Sequence, residues 1–183
     1  RIPPHGTDIE LLERCNELCR QLCREVPPLP EAAELVGALG KDHRSYSTRI
    51  LLLGYAAAAA FFTAFYGGTL LDTLCGGLCG LSVGVWMLWA SPRLRFNNLF
   101  QTLIGAAIAS LMALILVRMK IGGQLEAITI GTLMVLVPGM ALTNAMREIM
   151  VGDIFSGLSR TAESILTATA IALGVMVSLA IGN

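Results

Sequence analysis

The chain has 183 residues, of which 55% are hydrophobic and 14% charged, and its thirteen Lys and Arg balance thirteen Asp and Glu. Its mean hydropathy is +0.69, and it holds far fewer charges than the roughly one quarter of a soluble domain, so it reads as an integral membrane protein. No GxxxxGK[ST] loop and no basic run away from the apolar segments is present, which leaves no nucleotide site, no cofactor and no nucleic-acid surface to propose.

Residues 1–48 form a polar head, and seven of the thirteen Lys and Arg lie before residue 50. Ile9, Leu12, Cys15, Leu18, Cys19, Leu22 and Cys23 fall at helical spacing. Asp8 is placed to cap that helix, and Pro27-Pro28-Leu29-Pro30 to stop it. Pro30 then opens a second helix, with Glu31 and Glu34 near its positive end. The head is therefore expected to be a cytoplasmic helical hairpin that docks on itself or on a partner. It begins at Arg1 without a Met, so a preceding N-terminal portion is expected. Residues 1–26 lack the 7–15-residue apolar core of a signal peptide.

The head cysteines match no zinc motif, since there is no CxxC and neither His5 nor His43 is paired with them. Metal: none is the reading, with the thiols reduced and packed as small hydrophobes. Cys75 and Cys79, among glycines in an apolar run, are also assigned to packing.

Five apolar runs fill residues 49–183, near 50–66, 69–90, 99–117, 125–142 and 162–181. Each approaches the ~20 residues that cross about 30 Å of hydrocarbon as helix. Short connections make them antiparallel neighbours, and no run alternates with period two, so the expected fold is all-α: about five transmembrane helices after the hairpin. The head, Arg93/Arg95 and Arg147/Arg160 fall on one side if the spans alternate, and that side is assigned to the cytoplasm of a bacterial inner membrane. Arg118 and Lys120 count against it. Gly76, Gly80 and Gly84 form a small-xxx-small contact stripe.

Charge inside the apolar body is where chemistry is sought. Asp72 sits one turn from Gly67-Gly68 and has two readings: a helix N-terminal acid favoured by the dipole, or a proton or substrate site. Glu126 reads as interfacial. Pro138 lacks an amide hydrogen, so the fourth run is expected to kink there, with Gly139 relaxing the backbone. Such a break is either a packing kink or, as in secondary transporters, a hinge that frees backbone groups for a substrate. If the helix continues, Thr143 and Arg147 stand one turn apart, beside Asn144, and the guanidinium fork suits a carboxylate. Gly152-Asp153 reads as a helix stop and a new N-cap. Arg160 and Glu163, at i and i+3, are placed to pair. Positive-inside anchoring is the alternative for both arginines.

The run VPGMALTNAMREIMVGDIFSGLSRTAESILTATAIALG resembles the signature of the threonine/serine exporter family: a PG, an LTNA-like turn, an acid after Gly, SGL and R-x-x-E. The FYGGTLLD and LPEAAEL runs also resemble matching parts of that family. The resemblance implies export of threonine and serine driven by proton-motive force, or of dicarboxylates such as succinate, as in some split members. It covers the larger, five-span half of the exporter, which implies a small membrane subunit as partner and a hetero-oligomer. On this reading Thr143, Asn144 and Arg147 bind substrate, Pro138 and Gly139 form the hinge, and Asp72, Asp153, Arg160 and Glu163 serve coupling or gating. A non-transporting scaffold, recruiting a partner through the Leu/Cys face of the head, is the competing class. An enzyme ranks last, with no HExxH present.

Overall fold

A computed structural model of the protein describes residues 9–41, 46–90 and 97–182. The chain divides into two units, Arg1–Tyr46 and Ser47–Asn183, and the regular elements of the described residues are all helices. The expected cap at Asp8 and the Arg93/Arg95 turn lie outside the described residues.

In the first unit, α1 (Ile9–Glu25) and α2 (Leu29–Lys41) pack together. Pro28 O accepts from the amides of Glu31 and Ala32 at 3.0 and 3.1 Å, so the proline cluster both ends α1 and opens α2. Arg14 bonds Glu10 at 2.6 Å, and the Tyr46 hydroxyl donates to the other Glu10 oxygen at 3.1 Å. Cys15, Cys19 and Cys23 are free and exposed, contrary to the expectation that they pack. The partly buried line of α1 runs through Leu11, Leu18 and Leu22. The cysteines at 19 and 23 follow that line by one residue, about 100° around the helix, and so miss the single seam.

The second unit comprises α3 (Thr48–Phe65), α4 (Leu70–Val85) with a π-helical extension Trp86–Ala90, α5 (Asn98–Arg118), α6 (Leu125–Leu133), α7 (Gly139–Val151) and α8 (Ile154–Gly182). Among the described residues, Thr48–Phe65, Leu70–Ala90, Asn98–Arg118 and Ile154–Gly182 are long and apolar enough to cross a membrane. The protein is thus an all-α membrane protein.

Gly67, at φ +85°, turns the chain from α3 into α4. The glycine stripe of α4 then lies on α3: a Cβ on Gly80 would stand 2.6 Å from Ala59 Cβ and Tyr55 O, and one on Gly84 3.0 Å from Tyr55 Cβ. Cys75, Cys79, Ala113, Leu116 and Ile128 form the cluster where α4, α5 and α6 meet.

The apolar run 125–142 is not one helix. α6 ends at Leu133, tight turns carry residues 134–138, and α7 starts at Gly139. Pro138 has no hydrogen for Met134 O, and the Gly139 amide bonds Val137 O at 2.8 Å rather than Val135 O, so the ladder stops a full turn before the proline. The last apolar run also begins earlier than residue 162, since α8 is one helix of 29 residues. The charged 143–160 segment is therefore mostly helical, as α7 and the first turns of α8.

α5 and α8 run parallel: Gly174 lies on Leu103 O and Ala106, and Gly182 on Leu114. The Arg118 guanidinium donates to Gly182 O where both helices end. Parallel neighbours need a return path, and the broken α6–α7 segment supplies it. The start of α3, the end of α4 and the starts of α5 and α8 consequently share one end of the bundle.

Candidate functional site

At that end lies a cavity of about 540 Å³ bounded by α3, the π-helical extension of α4, α5, the broken segment, α7 and α8. Its apolar wall includes Met87 and the broken segment through Val135, Leu136 and Pro138. Its polar wall holds Tyr55, Asn98, Thr102, Arg160, Glu163, Ser164 and Thr167. Thr102, Ser164 and Thr167 each donate their hydroxyl hydrogen, at 2.9 Å, to the carbonyl four residues back, namely Asn98 O, Arg160 O and Glu163 O. With that hydrogen engaged, each oxygen faces any ligand as an acceptor.

A second cavity, of about 460 Å³, is lined by Asn144, Arg147, Glu148, Val151, Asp153 and Arg160. It is shaped by the α7–α8 corner. Gly152, at φ +102°, closes α7, and the Asp153 amide donates back to Glu148 O at 3.0 Å. Asp153 Oδ1 accepts from the Ser156 amide at 3.2 Å, as an N-cap does. The returning α8 packs closely, because a Cβ on Gly157 would stand 2.7 Å from Ala145 O.

Glu148 ties this corner together. Its Oε2 accepts from Ser156 Oγ at 2.9 Å, and its Oε1 lies 3.2 Å from Arg160 Nε. The expected Arg160–Glu163 pair is thus replaced by Arg160–Glu148. The turn at Gly152-Asp153 folds α7 back along α8, so an acid from the preceding helix reaches the guanidinium that the i+3 acid was expected to hold.

The remaining residues singled out from the sequence are only partly gathered here. Thr143 and Arg147 do share a groove of about 550 Å³ with Leu142, Met146, Met150 and Val151, but Asn144 lies on the other side, in the second cavity. The Thr143 hydroxyl is turned to Gly139 O and Met140 O, both at 3.1 Å. Arg147 borders both spaces, and among the described residues it forms no ion pair. Gly139 has open space around it. Asp72 is at the opposite end of the bundle and fully buried, accepting from Thr69 N at 3.0 Å, Thr69 Oγ1 at 2.7 Å, Gly123 N at 2.6 Å and Gln124 N at 3.2 Å. Among the described residues no group of three His, Cys, Asp or Glu converges as a metal site would.

Tyr55, Asn98, Thr102, Ser164 and Thr167 were not marked from the sequence. Part of the signal was present, since Arg160, Glu163, Ser164 and Thr167 repeat at i, i+3, i+4 and i+7, a polar stripe on an otherwise apolar helix. In lipid such a stripe turns toward protein. Tyr55, Asn98 and Thr102 carry no such pattern, because three separate helices bring them to the cavity.

A polar cavity bounded by a broken segment, within a bundle of apolar helices, is a layout found in membrane transport proteins. The family described as "Putative threonine/serine exporter" matches residues 1–182. The chain belongs to the threonine/serine exporter family. A relative from Mycobacterium tuberculosis (strain ATCC 25618 / H37Rv), named "Probable threonine/serine exporter", is 25% identical over 177 residues, which is 95% of this chain and 32% of that protein. The chain thus spans about a third of the length of that relative. No solved structure matches it.

Proposed function

We propose that this chain is the large membrane subunit of a secondary exporter that moves threonine, serine or related small carboxylates out of the cytoplasm, driven by proton-motive force. The observation that carries the reading is the family match over residues 1–182, and the polar inner cavity beside the broken segment supports it. Arg147, bordering the corner cavity, draws the substrate carboxylate in, with Asn144 beside it and Thr143 on the adjoining groove. Pro138 and Gly139 form the hinge on which the two cavities rearrange. Asp153 and Glu163, one in each cavity, are the acids placed to take a coupling proton, whereas Asp72 anchors the far end. The membrane is the bacterial inner membrane, the head is cytoplasmic, and a small membrane subunit completes the path.

The test is the intracellular threonine and serine pool after a dipeptide load, in cells lacking the gene, cells expressing the chain with its partner, and cells expressing Arg147→Ala at equal membrane level. Lower pools with the intact pair alone support export through Arg147. Unchanged pools in every strain remove the amino acid reading. A second reading, dicarboxylate export, is favoured by Arg147 and Arg160 lining one cavity, and succinate efflux measured in the same strains tests it.

A further inference from the structure

Arg160 is the wall that both cavities share. On the corner side it meets Glu148 at 3.2 Å, and on the inner side it borders the cavity that also contains Glu163. A guanidinium carries five N–H donors, so one carboxylate does not saturate it. Nor is Glu148 stranded if Arg160 leaves, because Ser156 Oγ still donates to it at 2.9 Å. The ion pair is therefore exchangeable, with a half-exposed arginine and an acid that keeps a second partner.

Building on the exporter reading above, we propose that the inner cavity is an α-amino-acid site: Arg160 exchanges Glu148 for the substrate's α-carboxylate, and Glu163, one helical turn along, holds its α-ammonium. The charge balance favours a zwitterion, since among the described residues the inner cavity presents one cation, Arg160, and one anion, Glu163. A dicarboxylate there meets Glu163 with like charge. Side chains at i and i+3 of a helix stand about 5–6 Å apart at Cβ, close enough for two long ones to converge on neighbouring groups of a small ligand. Ser164 and Thr167 have given their hydrogens to main-chain carbonyls, so their oxygens accept from the ammonium or from a substrate hydroxyl. The volume of about 540 Å³ lies within the roughly 300–1,000 Å³ of small-molecule sites. Glu148 thereby becomes a resident competitor, which holds Arg160 when the site is empty.

Membrane vesicles from cells carrying each variant at the native locus, so that any companion subunit is present, allow binding of radiolabelled threonine to be competed by threonine methyl ester and by 3-hydroxybutyrate. The ester keeps the ammonium and loses the carboxylate charge; the hydroxy acid does the reverse. Wild type is expected to prefer threonine to both by roughly ten- to a hundredfold, the range of a charge-assisted hydrogen bond. Arg160→Ala abolishes the preference over the ester and leaves that over the hydroxy acid; Glu163→Gln does the opposite. Glu148→Gln tightens threonine binding severalfold. If Arg160→Ala does not reach the membrane, Arg160→Lys, which keeps charge and loses the fork, is expected to weaken the preference over the ester. Wild-type preferences retained in the Arg160 and Glu163 variants overturn the clamp and leave the exporter reading standing. No threonine binding by wild type removes the amino acid reading itself, and the clamp with it.

Discussion

The Gly123 amide donates to Asp72 Oδ1 at 2.6 Å across 51 residues of sequence. Gln124 adds a second amide to the same oxygen, while Thr69 occupies the other, so one carboxylate pins the start of α4 to the loop that leads into α6. Asp72→Asn turns one acceptor into a donor facing donors. It is expected to lower stability by about 1–3 kcal/mol, seen as a lower thermal midpoint in detergent. Export per folded molecule and its pH profile stay as in wild type. A variant of full stability whose export no longer responds to pH reverses this assignment and makes Asp72 the proton carrier.

Gly131 and Gly139 offer a paired test of packing. A Cβ on Gly131 overlaps backbone atoms of Thr63, with Thr63 N at 2.5 Å, whereas Gly139 has nothing within 4 Å. Gly131→Ala forces α6 off α3 and is expected to destabilise by roughly 1–3 kcal/mol. Gly139→Ala, in an exposed first turn of α7, is expected to be neutral or stabilising by up to about 1 kcal/mol. Thermal unfolding of the two proteins side by side checks the order, and equal midpoints contradict the close crossing.

Pro138→Ala restores an amide hydrogen to the broken segment and removes the ring that clashes with the preceding turn. Stability is expected to change by no more than about 1 kcal/mol, while export falls, because the segment bordering the inner cavity then favours continuous helix. Export assays at matched membrane level, with amide hydrogen exchange over residues 134–139, separate the effects. Full export together with a protected Gly139 amide shows that the break is a packing feature.

The cysteines report burial and sidedness at once. Cys15, Cys19 and Cys23 are exposed, and Cys75 and Cys79 are buried. Three maleimides are expected to add rapidly to the native protein and five after denaturation, since access governs thiol reactivity. With the head in the cytoplasm, an impermeant maleimide labels α1 in inverted vesicles and not in intact cells. Labelling from outside intact cells reverses the orientation.

How much of the site was legible in the sequence varies from residue to residue. Pro138 and Gly152 declare themselves, because a missing amide hydrogen and a glycine in a left-handed turn act through local backbone alone. Asp153 as a cap is equally local. Arg160 could be singled out as a charge beside an apolar run, yet its partner could not be named, since Glu148 reaches it only after the chain folds back at Gly152. The role of Asp72 was legible as far as its helix dipole and no further, because the Gly123 and Gln124 amides come from a distant loop.

By itself the sequence determined the class: apolar runs of spanning length must form helices, since lipid leaves no other partner for backbone amides. It also determined where those helices start and stop, wherever proline, glycine or a capping side chain acts on its own neighbours. Only the tertiary structure decided which polar groups share a space. The cavity draws on Tyr55, Asn98, Thr102 and the Arg160–Thr167 stripe, and the parallel packing of α5 and α8, set by close contact at Gly174, brings them to one end. Helix periodicity records which side of a helix is polar but not which neighbour that side meets, and the neighbour is chosen by packing between residues far apart in the chain.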